Sequence, residues 1–409
     1  MVKDESAEVH GGLGRGHGRA LKSIGERAAV AEVVNRLGAA LAPPTGAETG
    51  TGSDAAAGPD LAAVLVGPGD DAAALCLPAG EAAIVTTDSL VEGVHFERAW
   101  TTPADLGFKL IQSAASDVGA MGGRPLAAVV AVSAPPALLE SELLAMTGGM
   151  LEAAERHRFL VLGGDTTSSS HLVLTATVLG AAGPAAIRRR SGAQPGDRIL
   201  VTGELGDAAA GLSILRALSA LEPAPTHATH AWLRTASPLA DLERRLAARH
   251  LVPRADSPEA LAFTGAVRRF LRPVPPIEAG PIAAAAGASA LIDISDGLAS
   301  ELFLIAEASG VGLVLEESAV PIGAGARRLA LERGEDPLAL ALGGGEDYEL
   351  LMTAPADRVH DLIAALAEIG VRATLIGEIV RHEFGRNVHA PGRPPRPLAP
   401  VGFEHFRGA

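Results

Sequence analysis

Five times along this chain an apolar run leads into small residues and then a carboxylate: Gly69-Asp-Asp71, Thr86-Thr-Asp88, Gly163-Gly-Asp165, Asp293-Ile-Ser-Asp296 and Gly343-Gly-Gly-Glu-Asp347. Ser116-Asp117 adds another carboxylate inside a helical stretch. β-rich runs alternate with helix-period segments between these motifs, an α/β pattern. In open α/β sheets ligands collect at the carboxyl ends of strands, and glycine lets a polyphosphate approach the backbone closely. Carboxylates placed there cannot bind phosphate directly. They can hold Mg²⁺, whose shell is one or two carboxylates, waters and substrate phosphate oxygens. Taken singly, each aspartate also fits a turn or a helix N-cap. Recurrence beside Gly-Gly, Thr-Thr or Ser favours a multi-metal phosphate site.

The charge balance agrees with metal ions between protein and phosphate. The formal net charge is -14, which repels a phosphodiester backbone, and no Lys/Arg stripe interleaved with aromatics offsets it, so nucleic acid is set aside as a partner. Mean hydropathy is +0.25, yet prolines, glycines and charges break the apolar stretches before the ~20 residues that a membrane span needs. Asp4 and Glu5 and the lack of an apolar stretch argue against a secretory signal. The expectation is a cytoplasmic protein with no membrane partner. Cys76 is the single cysteine and lies in an apolar run, where a small buried hydrophobe is the simplest role.

At 409 residues the chain exceeds what one core usually serves, so two domains are expected. Residues 1–24, rich in Gly, Arg and His, read as a mobile tail. Val30, Val33, Val34, Leu37 and Leu41 are spaced for an amphipathic helix, and 42–59 read as a Pro/Gly/Thr/Ala-rich linker. Strands are expected at 82–85, 127–132, 159–162 and 172–179, with helices at 104–120 and 138–156. The break at Gly180-Ala-Ala-Gly-Pro184 separates an N-terminal domain, 25–183, from a C-terminal one, 184–409. The second half opens with a strand at 198–201 and a helix at 207–220, passes a Pro/His/Ala-rich stretch at 222–258, and resumes with regular elements from 283 onward.

Two familiar nucleotide motifs do not apply. Gly67-Pro-Gly-Asp-Asp-Ala72 fits the dinucleotide fingerprint in spacing only, since its adjacent carboxylates would repel a pyrophosphate. A Walker-type loop needs a lysine after its glycine-rich turn, and Lys3, Lys22 and Lys109 are in no such setting.

With these residues assembled, the sequence resembles the thiamine-monophosphate kinase family of the aminoimidazole-ribonucleotide synthetase-like superfamily. The matching segments run in the family's order: 67–73, 86–96, 116–122, 163–167, 190–197, 292–298 and 344–350. The resemblance implies a two-domain α/β (α+β) fold, with an N-terminal sheet domain forming a homodimer interface and a C-terminal α/β domain. It implies transfer from ATP to thiamine monophosphate, giving thiamine diphosphate, with several Mg²⁺ ions between the ligands. By motif position, Asp71, Thr86, Thr87, Asp88, Asp117, Asp165, Asp293 and Asp296 are the implied metal ligands. Gly164, Asp165, Arg190 and Ser295 are the implied ATP contacts. His95, Glu346 and Phe403 are the implied contacts to the acceptor.

The acceptor's chemistry suggests the mechanism. A phosphate monoester has its second pKa near ~6, so the attacking oxygen is already anionic and no side-chain base or nucleophile is required. Direct in-line transfer without a phosphoenzyme is expected. Two alternatives stay open on sequence alone. One is a superfamily synthetase acting on an amide-type acceptor, which would share the aspartates and need not share His95, Glu346 and Phe403. The other is a non-enzymatic acidic metal-binding or scaffolding protein.

Overall fold

A computed structural model describes Ala20, Ser23 and residues 26–41, 64–66, 74–75, 77–220 and 257–403. The expected tail, the 42–59 linker, nearly all of the 222–258 stretch, Asp70, Asp71 and Cys76 lie outside the described residues.

The first half contains α1 (Glu26–Leu41), β1 (Val64–Val66), β2 (Ala74–Leu75), β3 (Ala82–Val91), α2 (Pro103–Ala120), β4 (Arg124–Ala134), α3 (Glu140–Arg156), β5 (Leu160–Ser168) and β6 (Val173–Ala182). β1 and β2 form a small ladder of their own, and the main sheet has the order β3-β6-β4-β5. Only β4 and β5 pair in parallel; β6 is antiparallel to both β3 and β4. Side chains alternate across these strands as the pleat requires. Ile84, Leu90, Val130, Val132, Leu174 and Val178 face α2 and α3 in the first core. The other face is open, with Val85 66% and Val129 42% exposed.

α2 is the pivot of this half. Thr102 caps it by accepting the Asp105 N–H at 3.1 Å, Pro103 starts it, and Leu106, Leu110 and Ile111 are fully buried. Each such side chain contributes roughly 1.5–3 kcal/mol relative to exposure. α2 and α3 touch backbone to backbone. A Cβ on Gly107 would fall 2.0 Å from the Met146 carbonyl oxygen, and one on Gly149 would fall 1.9 Å from that of Ala104.

The second half follows with β7 (Arg198–Thr202), α4 (Asp207–Ala220), α5 (Pro258–Leu271), α6 (Ala279–Ala285), β8 (Ala290–Asp293), α7 (Leu298–Ser309), β9 (Val311–Glu316), α8 (Ala324–Arg333), α9 (Pro337–Gly343), β10 (Leu350–Ala354), α10 (Val359–Glu368), β11 (Ala373–Arg381), β12 (Arg386–His389) and β13 (Arg396–Pro397). The sheet order is β13-β12-β9-β11-β7-β10-β8, and only β12 and β9 pair in parallel. Ile199, Val201, Ile292 and Leu351 enter a core shared with α4, α5 and α7, while Leu200, Leu291, Leu350 and Met352 enter another with α6, α10 and Ala120 at the end of α2. The first domain thus contributes a residue to the second domain's core.

Both halves are therefore helix-and-sheet layers, with sheets mostly antiparallel. Two of the expected strand-end motifs sit elsewhere: Thr86, Thr87 and Asp88 lie inside β3, and Gly163, Gly164 and Asp165 lie inside β5. Both strands run six residues past the apolar stretches that mark them, because Thr and Ser also suit an extended backbone.

Candidate active site

α2 and β8 bring carboxylates together where the two halves meet. Asp117, one turn from the end of α2, accepts a hydrogen bond from the Thr86 hydroxyl of β3 at 2.5 Å. Its neighbour Ser116 reaches into the second half and donates to Oδ2 of Asp293, the last residue of β8, at 2.6 Å. Burial, then the nearby Asp117 carboxylate, push Asp293 up to about 7. Burial also pushes Asp117 up, with Asp88 adding to the shift while Thr86 and Arg190 oppose it. Like charges are thus held against one another with only partial compensation.

Around them is a cleft of about 460 Å³ whose lining includes Thr86, Asp117, Met121, Arg190, Leu291 and Asp293. The three arginines before Ser191 divide their work. Arg188 is spent on structure: its guanidinium donates to the carbonyls of Ala288 at 2.7 Å, Ala185 at 2.9 Å and Ala284 at 2.5 Å. Arg190 lines the cleft and acts on Asp117.

The loop after β8 is knitted to two distant segments. Glu346 N–H donates to the Ser295 carbonyl at 2.7 Å, and Phe403 N–H donates to the Asp296 carbonyl at 2.9 Å. Asp296 N–H in turn donates to Oε1 of the buried Glu301 at 3.0 Å, a carboxyl pushed up to about 8 by burial. Ser295, Asp296, Glu346 and Phe403, 108 positions apart in sequence, are neighbours in space. His95 accepts the Val91 N–H on Nδ1 at 3.1 Å, so the ring proton is on Nε2.

The glycine-rich motif before β10 splits at its end. Asp347 turns away from the cleft and caps α4, accepting from Gly206 N–H at 2.6 Å and Ala208 N–H at 3.2 Å. Glu346, held at φ 71, turns to the first half and pairs with Lys109 at 2.8 Å. Burial lowers the Lys109 pKa, with Glu346 and Asp88 opposing.

Two implied ligands, Asp165 and Thr87, are not brought in. Asp88 pairs with Ala176, on the row of Val130 and Gly164, and shares the helix-facing side of β3 with Ile84 and Leu90. Asp165 pairs with the exposed Ala131 on the open face of the sheet. Strands are about 4.8 Å apart, so these aspartates stand three strands, or about 14 Å, from each other on opposite faces. Thr87, too, points to the open face, with its hydroxyl 3.2 Å from the Thr177 hydroxyl and the Ala176 carbonyl.

Residues 69–182 match the AIR synthase related protein N-terminal domain, and residues 194–388 match its C-terminal domain. The chain belongs to the AIR synthase related family. Among its relatives in this family is the thiamine-monophosphate kinase of Bacillus subtilis (strain 168), 34% identical over 345 residues, covering 84% of this chain and 94% of that one. The counterpart from Mycobacterium tuberculosis (strain H37Rv) is 37% identical over 291 residues, 71% and 75% of the two chains. Among solved structures, thiamine-monophosphate kinase from Stenotrophomonas maltophilia K279a superposes with a TM-score of 0.66 at 35% identity, covering 82% of this chain and 92% of that one. AaThiL complexed with AMPPCP and TMP superposes with a TM-score of 0.63 at 28% identity, covering 81% and 90%.

The two-domain fold expected from the motifs is that of the AIR synthase related family. Sequence reasoning missed Lys109 and Glu301. Lys109 had a signal: a lone lysine in the run Gly107-Phe-Lys-Leu-Ile111, on a helix whose residues are nearly all buried, implies a buried partner.

Proposed function

We propose that this protein phosphorylates thiamine monophosphate with ATP, giving thiamine diphosphate, the last step in making that cofactor. The observation that carries this reading is the interdomain cleft of Thr86, Asp117, Arg190 and Asp293, in a chain whose relatives are thiamine-monophosphate kinases along most of their length.

The donor set fits Mg²⁺. Its side chains offer hard oxygens, and the mutually repelling Asp117 and Asp293 are carboxylates that a dication would relieve. Among the described residues no three His, Cys, Asp or Glu groups converge on a single ion. That suits a cation held by one or two carboxylates and completed by waters and phosphate oxygens. Asp88, Asp117, Asp293 and Asp296, with Thr86, would hold such ions, and Asp71 by its motif position; Thr87, which faces the other side of β3, stands outside this set. When bound, Mg²⁺ neutralises the facing phosphates and stabilises the leaving diphosphate.

The chain's own residues do the rest. Arg190 and Ser295 hold ATP phosphates at the cleft. His95, by its motif position, contacts the acceptor; Glu346 and Phe403 receive the cationic, aromatic remainder of thiamine monophosphate. No side chain acts as nucleophile, since the acceptor oxygen is already charged, and transfer is direct and in line. Gly164 and Asp165 enter from a second copy in a homodimer. Two features support this: the ~14 Å that separates Asp165 from Asp88 within one sheet, and the open apolar face bearing Val85 and Val129. We place the division between domains at 183/184 and the site of action in the cytoplasm, where ATP is available. Among the described residues no helix is long and apolar enough to cross a membrane.

The test is purified protein with ATP, Mg²⁺ and thiamine monophosphate, with thiamine diphosphate measured directly. Product without labelled enzyme is expected. ATP turnover without thiamine diphosphate overturns the acceptor, and a stable phosphoprotein overturns direct transfer.

A further inference from the structure

Among the described residues Lys109 is one of the largest fully buried side chains, with only 2% of it exposed, and it emerges from a helix packed closely against its neighbours. Gly107 abuts the Met146 carbonyl on one side, and a Cβ on Gly119 would meet the Ile277 backbone at 3.0 Å on the other. The ammonium lies 3.7 Å from the centre of the Phe270 ring, on α5 of the second half. Among the described residues its carboxylate partner is Glu346, at 2.8 Å, without a well-aligned hydrogen bond.

Glu346 is the more pliable member. It sits at φ 71 in a loop, a conformation that costs a non-glycine residue roughly 1–2 kcal/mol. Its backbone is tied to Ser295, and its side chain is 22% exposed. The side chain's direction is therefore set by what it meets. Lys109 takes Oε1 and leaves Oε2 for a ligand.

We infer that Lys109 is the positioning residue for Glu346: the buried ammonium, fixed by α2 and the Phe270 ring, aims the carboxylate at the acceptor and so ties acceptor recognition to the seating of one domain on the other. This rests on the reading of Glu346 as an acceptor contact. The pair is neutral as a unit, so Glu346 offers thiamine monophosphate a directed oxygen in place of net negative charge. Lys109 itself touches neither ligand in this scheme.

The test uses Lys109→Met, Glu346→Gln and the double variant in the full-length protein, with KM measured separately for thiamine monophosphate and ATP. Lys109→Met should raise KM for thiamine monophosphate about tenfold or more and leave that for ATP within about twofold. The double variant should be no worse than the worse single one, because the two side chains act as one unit. Equal rises in both KM values, or single effects that multiply in the double variant, overturn the inference.

A second readout does not depend on the folding of Lys109→Met. The chain has three lysines, Lys3, Lys22 and Lys109, so a spectrum of ¹³Cε-lysine protein is simple to assign. Thiamine monophosphate should move the Lys109 signal, ATP with Mg²⁺ should not, and Glu346→Gln should abolish the response. A Lys109 signal indifferent to thiamine monophosphate overturns the inference. Wild-type protein that makes no thiamine diphosphate overturns the functional reading and this inference with it. An active wild type beside an unaffected Lys109→Met overturns the inference alone.

Discussion

Removing the Ser116 hydroxyl should raise the pH below which metal-dependent activity is lost. Ser116 donates to Asp293 at 2.6 Å, and with the two residues 2% and 4% exposed, water cannot readily replace the bond. A hydrogen bond to a charged group is worth roughly 1.5–3 kcal/mol, and one pKa unit is about 1.4 kcal/mol. Burial and Asp117 already hold Asp293 at about 7, so Ser116→Ala should lift it by about one unit. The sign follows from competition: a proton and a divalent cation seek the same carboxylate, so falling pH costs activity. At Mg²⁺ well below saturation, the ionised fraction at pH 7 falls from about one half to about one tenth, a roughly fivefold loss of rate. Near pH 9 the two proteins should nearly coincide, and saturating Mg²⁺ should narrow the gap. The assay is kcat/KM against pH from 5.5 to 9. An equal loss at every pH would refute the reasoning, for it would mean that Ser116 supports packing and does not tune Asp293.

Asp117→Asn should cut activity about a hundredfold or more through lost Mg²⁺ affinity. Because the folded-state pKa of Asp117 is raised, its ionised form weighs against folding above the ordinary carboxylate pKa, so this variant should be no less stable than wild type at pH 8 in urea unfolding. Gly149→Ala forces α2 and α3 apart and should lower the urea midpoint by an amount equivalent to about 1–3 kcal/mol at unchanged m. Mixing inactive Asp88→Ala and Asp165→Ala proteins should restore about a quarter of wild-type activity, since half of randomly paired dimers carry one intact site of two. No recovery on subunit exchange would place Asp88 and Asp165 in the same copy's site.

Much of the fold could be read from sequence where one physical signal dominated. The helix at 207–220 begins and ends as expected, with Asp207 in its first turn. The strands proved longer than their apolar stretches because Thr86, Asp88 and Asp165 continue the extended backbone while carrying chemistry. Periodicity distinguishes inward from outward positions on a strand. It says nothing about which strands are neighbours, so the separation of Asp165 from Asp88 was invisible before the β3-β6-β4-β5 order was known. The fate of Glu346 and Asp347 was equally hidden. Adjacent in sequence, they serve a buried lysine and a helix terminus in different directions, with Glu346 held at φ 71.

The course of α2 bears on how far the two halves are separable. Its first turns are sealed against α3 through Gly107, its Lys109 reaches Phe270, and its last residue, Ala120, is a member of the second half's core. A Cβ on Gly280 would fall 1.8 Å from the Gly119 carbonyl, so no solvent layer lies between them. A fragment ending at Gly183 would expose this seam and leave Lys109 without Glu346 and the Phe270 ring. The halves are thus poor candidates for separate expression or for exchange between family members, and a chimera joined in the 183–197 linker would need both sides of the α2 seam from the same parent.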